Sequence, residues 1–184
     1  MRAHENPFRV SRLDALHFRG APIASLVATL RSHAYRGAVV GPEGSGKSTL
    51  LREMAEYLEN DGVHVRIVRF DDHAALATAL VHRDAVWLID GAERIPLPLR
   101  AALTTSLRRV VITTHAAAPG LQILVRCATT PALLTELMHE LEGPTLSVVE
   151  AEALFRASRG NLRLAFRSLY DMASQDFVGA FLAR

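Results

Sequence analysis

Two patterns of apolar spacing divide the chain. Between Ala38 and Arg126, short apolar runs rich in β-branched residues alternate with stretches whose apolar positions recur every three or four residues. The runs predict strands over 38–40, 63–70, 85–90, 110–114 and 121–126. Several are apolar almost throughout, as strands covered on both faces are. Helical spacing predicts a helix beginning at Pro22 with Ile23, Leu26, Val27 and Leu30 on one face. It predicts others over 47–60 with Leu50, Leu51, Met54 and Leu58 inward, over 74–81, and from Ile95-Pro96-Leu97-Pro98 to Arg108. Strands alternating with helices imply right-handed crossovers, so the expectation is an α/β three-layer sandwich around a mostly parallel five-stranded sheet. Ligand then belongs at the C-terminal ends of the strands.

After Ala128 only the helical spacing continues. Thr130-Pro131 opens a helix with Leu133, Leu134, Leu137, Met138 and Leu141 on its apolar face, stopped by Gly143-Pro144. Ser147 and Glu150 have capping-box spacing for a second helix, which Gly160 ends, and Asn161 can cap a third carrying Leu162, Ala165, Phe166 and Leu169. Three short helices predict a small C-terminal lid. The domain expectation is therefore 1–128 for the α/β part with its N-terminal lead-in, and 129–184 for the lid and tail. The lead-in has no clean period and reads as extended or briefly helical; the tail residues Phe177, Val178, Phe181 and Leu182 are expected to pack on the lid.

Between the first strand and its helix stand Gly41, Pro42, Glu43, Gly44, Ser45, Gly46, Lys47, Ser48 and Thr49, which satisfy G-x-x-x-x-G-K-[ST] in full. Glycines let main-chain N–H groups turn inward around a polyphosphate, and the N-terminus of the next helix adds attraction. In that pattern Lys47 reaches the β- and γ-phosphates and the Ser48 hydroxyl binds Mg²⁺. A glycine-rich turn that binds nothing accounts for neither the Lys-Ser pair nor the flanking elements. Lys47 is also the sole lysine among 21 basic residues, placed where a slim point charge suits phosphate better than a guanidinium.

Asp90 ends an apolar strand, as the second metal-organising group of phosphoryl chemistry does, and otherwise merely caps a loop. The following position, often a water-activating Glu, is Gly91. Glu93 is the candidate water-orienting group if the turn is tight, and otherwise pairs with Arg94 or faces solvent. Thr113 and Thr114, ending the next strand, could sense the γ-phosphate or serve only as strand formers, and His115 stands beside them. Arg163, one turn before Arg167 and two before Asp171, reads either as part of a solvated stripe or as a fixed charge over the γ-phosphate.

Composition narrows the classes. The 184 residues and 49% hydrophobic content suffice for a sizeable core. No apolar run approaches the ~20 residues of a membrane span and the N-terminus lacks a signal-peptide core, so a cytoplasmic protein without membrane insertion is expected. Cys127 is alone, which excludes an internal disulfide. Net charge is +2, yet residues 1–36 hold Arg2, Arg9, Arg12, Arg19, Arg31 and Arg36 against Glu5 and Asp14, a local +4 that leaves −2 for the rest. That segment could contact DNA, or pair with acids of its own domain.

GPEGSGKST at 41–49, VWLID at 86–90, VVITT at 110–114 and RGNLRLAFRSLYD at 159–171 together resemble the AAA+ superfamily of P-loop NTPases. The segment Asn6-Pro7-Phe8 resembles the lead-in of its bacterial ExeA-like and transposition-helper branch, whose residues before the first strand line the adenine pocket. The resemblance implies ATP and Mg²⁺ as ligands, Walker A and B roles for 41–49 and Asp90, Thr113 or Thr114 as sensor 1, Arg163 as sensor 2, and an ATPase that couples nucleotide state to a protein partner. Gly91 and the short connection between the fourth and fifth strands depart from the pattern. A non-hydrolysing nucleotide-gated switch is the alternative. A small-molecule kinase shares the loop but lacks a lid of clustered arginines here, and no LSGGQ-like signature points to an ABC ATPase.

Overall fold

The strands carry apolar residues at successive positions because both sides of their sheet are covered. In the computed structural model, which describes residues 6–81 and 84–182 (residues 80 and 174–182 by backbone alone), these runs form β1 (Arg36–Val40), β2 (Val65–Arg69), β3 (Val86–Asp90), β4 (Val110–Thr114) and β5 (Ile123–Arg126). They lie in the order β2-β3-β4-β1-β5, and every pairing is parallel. The expected "mostly parallel" sheet is thus wholly so among the described residues.

Alternate side chains feed two cores. Ala38, Val40, Trp87, Ile89, Val110 and Ile112 face Leu76, Ala79, Leu103 and Leu107 on one side, from α4 (His73–Val81), α5 (Leu97–Ser106) and its C-terminal edge. Val39, Val65, Val86, Leu88 and Val111 face α2 (Ile23–Ser32) and α3 (Lys47–Asn60) through Leu26, Val27, Leu30, Leu50, Leu51, Met54 and Leu58 on the other. The result is the expected three-layered α/β arrangement. Helix α3 runs from Lys47 to Asn60, the span its apolar period and the Asp61-Gly62 stop define.

The chain divides into two compact units, one of which is His17–Ala128. The other joins Thr129–Arg184 to the chain up to Leu16, so the lead-in groups with the helices and not with the sheet. Its short helix α1 (Val10–Asp14) is preceded by Phe8, 3% exposed, which stacks on Phe166 at 6.0 Å. Asn6 secures the same junction: its Nδ2 donates to the Tyr170 carbonyl (3.2 Å) and its Oδ1 accepts from the Phe8 N–H (3.0 Å). A single large side chain in a core places an aperiodic segment more firmly than any local propensity.

In that unit, α6 (Pro131–Glu140) begins at a Thr130 cap and α7 (Val148–Ala157) at the complete Ser147/Glu150 capping box. The third helix, α8 (Leu162–Leu182), is 21 residues long and not short as expected. No Gly or Pro interrupts it before Gly179, so the supposed tail continues the helix. The side chains of Phe177, Val178, Phe181 and Leu182 lie outside the described residues, as do Arg2 and Glu5. Of the other N-terminal arginines, Arg12 pairs with Glu142 (3.0 Å), Arg31 with Asp61 (2.6 Å), and Arg36 donates to the Leu107 and Thr104 carbonyls. Among the described residues no helix is long and apolar enough to cross a membrane.

Candidate functional site

The glycine-rich loop leaves β1 at the C-terminal edge of the sheet, flanked there by β4 and β5. Its first residue is wedged between them: the Gly41 N–H donates to the Thr114 carbonyl (3.0 Å), while the Cys127 N–H donates to the Val40 carbonyl (2.7 Å). A Cβ on Gly41 would come within 2.6 Å of the Cys127 carbonyl and 2.8 Å of Ser45 Oγ, so backbone approach alone demands glycine. Gly44 and Gly46 then take positive φ of 72° and 83°, turning the chain into α3.

Lys47 opens α3 and folds back over the loop. Its ammonium donates to the carbonyls of Gly41 (2.8 Å) and Pro42 (2.7 Å), and the residue is only 8% exposed. Burial lowers its pKa below the usual lysine value; the carboxylate of Glu93 is foremost among the groups that oppose the shift. The same burial pushes the Cys127 thiol up to about 11, which keeps it protonated and unreactive at neutral pH.

Beside Lys47, the Ser48 hydroxyl donates to Asp90 Oδ2 at 2.8 Å. The other oxygen, Oδ1, accepts from the Thr113 hydroxyl (2.7 Å), which in turn accepts from the Gly91 N–H (2.7 Å). Thr113 lies one position beyond the register pair Ile89↔Ile112, so the parallel ladder itself brings it opposite Asp90. Thr114 is buried, and its carbonyl holds the Gly41 N–H.

Gly91 has φ +76°, and a Cβ there would meet the Phe70 ring at 2.8 Å. A side chain at this position would therefore be strained by the backbone conformation and would have to displace the Phe70 ring. The chain continues as a 3-10 turn, Ala92–Arg94, which is tight enough to bring Glu93 back to the strand ends. Glu93 does not pair with Arg94. Its Oε1 lies 3.3 Å from His115 Nε2, and its Oε2 is buried without a hydrogen-bond partner among the described residues. Arg94 instead reaches Glu43 in the loop (3.0 Å) and lies over the Phe70 ring, 4.9 Å from its centroid.

One loop and three strand ends thus gather Lys47, Ser48, Asp90, Glu93, Thr113 and Thr114. Ser45 braces the loop through the Pro42 carbonyl (2.8 Å), Pro42 and Glu43 are exposed on its crest, and Thr49 is half-buried in the first turn of α3. Arg163 belongs to the other unit, exposed in the first turn of α8, which the Asn161 side chain caps (3.2 Å to the Leu164 N–H). The pairings Glu93 with His115, Glu43 with Arg94 and Asp90 with Thr113 had no sequence signal beyond the polar character of the strand ends, because each joins residues 22 to 51 positions apart.

The site presents hard oxygen donors. Among the described residues no group of three or more His, Cys, Asp and Glu side chains could hold a metal alone. Ser48 Oγ and Asp90 Oδ2 suit Mg²⁺, which typically takes one or two protein oxygens and completes its shell from phosphates and water. Comparison with protein-family models yields no match, and no curated protein matches the chain.

Proposed function

We propose that the protein has a P-loop NTPase fold and is an ATP-binding, Mg²⁺-dependent ATPase of the AAA+ kind that passes nucleotide state to a protein partner. One observation carries the reading. A loop with two positive-φ glycines and a buried lysine opens α3, and the next residue, Ser48, bonds the carboxylate that ends β3. The loop's first glycine admits no Cβ, which supports a cradle built from main chain.

In this reading Lys47 exchanges its bonds to the Gly41 and Pro42 carbonyls for phosphate oxygens. That exchange also relieves the cost of burying an ammonium, since a polyanion brings opposite charge to it. Ser48 and Asp90 hold Mg²⁺, which when bound with a triphosphate draws charge from the phosphate oxygens. Thr113 fixes the orientation of Asp90, and Glu93 orients the attacking water in place of an acid at position 91, which is glycine. Arg163, exposed on the helical unit, stands as the sensor 2 candidate by resemblance alone. DNA contact through the N-terminal segment is the weaker partner reading, because Arg12, Arg31 and Arg36 are engaged within their own units.

Titration calorimetry with Mg²⁺ and ATP or GTP tests the proposal. Binding is expected in the wild type, and Lys47→Ala should weaken it about 10- to 100-fold, the worth of a charge-assisted bond. An absence of heat with a folded sample, or unchanged affinity in Lys47→Ala, overturns it. The missing acid at Gly91 favours a second reading, a non-hydrolysing switch. Binding without phosphate release from the wild type assigns that one.

A further inference from the structure

Glu93 is held unusually for a charged side chain. The turn that carries it is fixed from both ends: Gly91 by its N–H on Thr113, and the buried Ala92 and Ile95 by packing on the sheet. The Arg94 N–H donates to the Gly91 carbonyl (2.9 Å) and closes the turn. Only the side-chain rotors of Glu93 remain to be set. The adjacent Arg94 does not set them, being engaged by Glu43 and Phe70. His115, the residue directly after β4, approaches Oε1 at 3.3 Å. The other oxygen is buried with no donor among the described residues, although a carboxylate accepts several hydrogen bonds. Glu93 is also the foremost carboxylate acting on Lys47, so it lies within the field of the phosphate-binding ammonium.

We propose that His115 is a positioning residue: it occupies Oε1 of Glu93 and leaves Oε2 as the acceptor for the attacking water. The inference rests on the nucleotide-hydrolysing reading above. Glu93 Oε2 accepts a proton from that water as its oxygen forms a bond to the terminal phosphorus. The bridging P–O bond breaks, its electron pair leaves with the diphosphate, and Glu93 passes the proton to solvent. His115 touches neither substrate nor water. With 41% of its side chain exposed it adds little to the core, so its loss should register in turnover and not in folding.

Phosphate release and MgATP binding, measured on four variants beside the wild type, test this. Glu93→Gln should bind MgATP as the wild type does and release phosphate about 100-fold more slowly, within the range of general-base effects. His115→Ala should lower kcat about 10-fold with KM little changed, and His115→Gln, whose amide nitrogen stands near the imidazole Nε2, should restore most of it. The double variant E93Q/H115A should be no slower than Glu93→Gln alone, because the histidine acts only through the carboxylate. An equal effect of His115→Ala in both backgrounds, or a rise in KM at constant kcat, overturns the assignment. Wild-type protein that binds MgATP without releasing phosphate overturns it while leaving nucleotide binding intact. Protein that binds no nucleotide overturns both.

Discussion

Thr113 shows how much one hydroxyl can organise. Fully buried, it donates to Asp90 and accepts from the Gly91 N–H, so it fixes a metal-ligand candidate and the start of the Glu93 turn together. Thr113→Val keeps the shape and removes both bonds. We expect its half-saturating Mg²⁺ concentration for nucleotide binding to rise about 10- to 100-fold, as when outer-shell partners of a metal are lost. Nucleotide binding measured without Mg²⁺ should change little; titrations with and without the metal check this. The proposed roles of Lys47 and Ser48 could be read from the sequence because a local spacing marks them, and that of Asp90 because it ends an apolar strand. Those of Thr113, His115 and Arg94 were not, since strand register decides which side chains meet.

Among the elements, α7 carries the clearest pH signature. The Ser147 side chain and N–H both bond the Glu150 carboxylate, at 2.7 and 2.8 Å, and hold its pKa below the ordinary 4.5. A carboxyl depressed in the folded state stabilises above its unfolded pKa, and the contribution fades as pH falls through the folded value. The helical unit should therefore lose stability below about pH 4.5, and Glu150→Gln should flatten that slope in acid titrations followed by circular dichroism. Ser147→Ala should cost about 1 kcal/mol, the usual worth of an N-cap. The cap was readable from two residues three apart. The length of α8 was not: Asn161 marks its start, but the apolar face picked out at Leu162, Ala165, Phe166 and Leu169 says nothing of where the helix ends.

At the scale of the molecule there are two units with separate cores. Phe8, Leu134, Leu137, Met138, Leu162 and Phe166 belong to one, and the two faces of the sheet to the other. Phe8→Ala should destabilise the helical unit by about 3–5 kcal/mol, as deletion of a buried aromatic does. Hydrogen exchange should then quicken in α6 and α8 and hold steady in β1, β3 and β4. Phe8 of the lead-in is buried among helices. A segment without period gives no hint of which core will take its one large side chain. Strand order was equally hidden, and it governs how the protein comes into being. β1 pairs with β4 and β5 alone, and both follow it by 70 residues or more. While the chain is being synthesised, the loop at Gly41 has no neighbour on either side until residues 110–126 have left the ribosome. The proposed ligand capture therefore has to wait for β4 and β5, and a fragment ending before β4 should carry the motif without binding nucleotide.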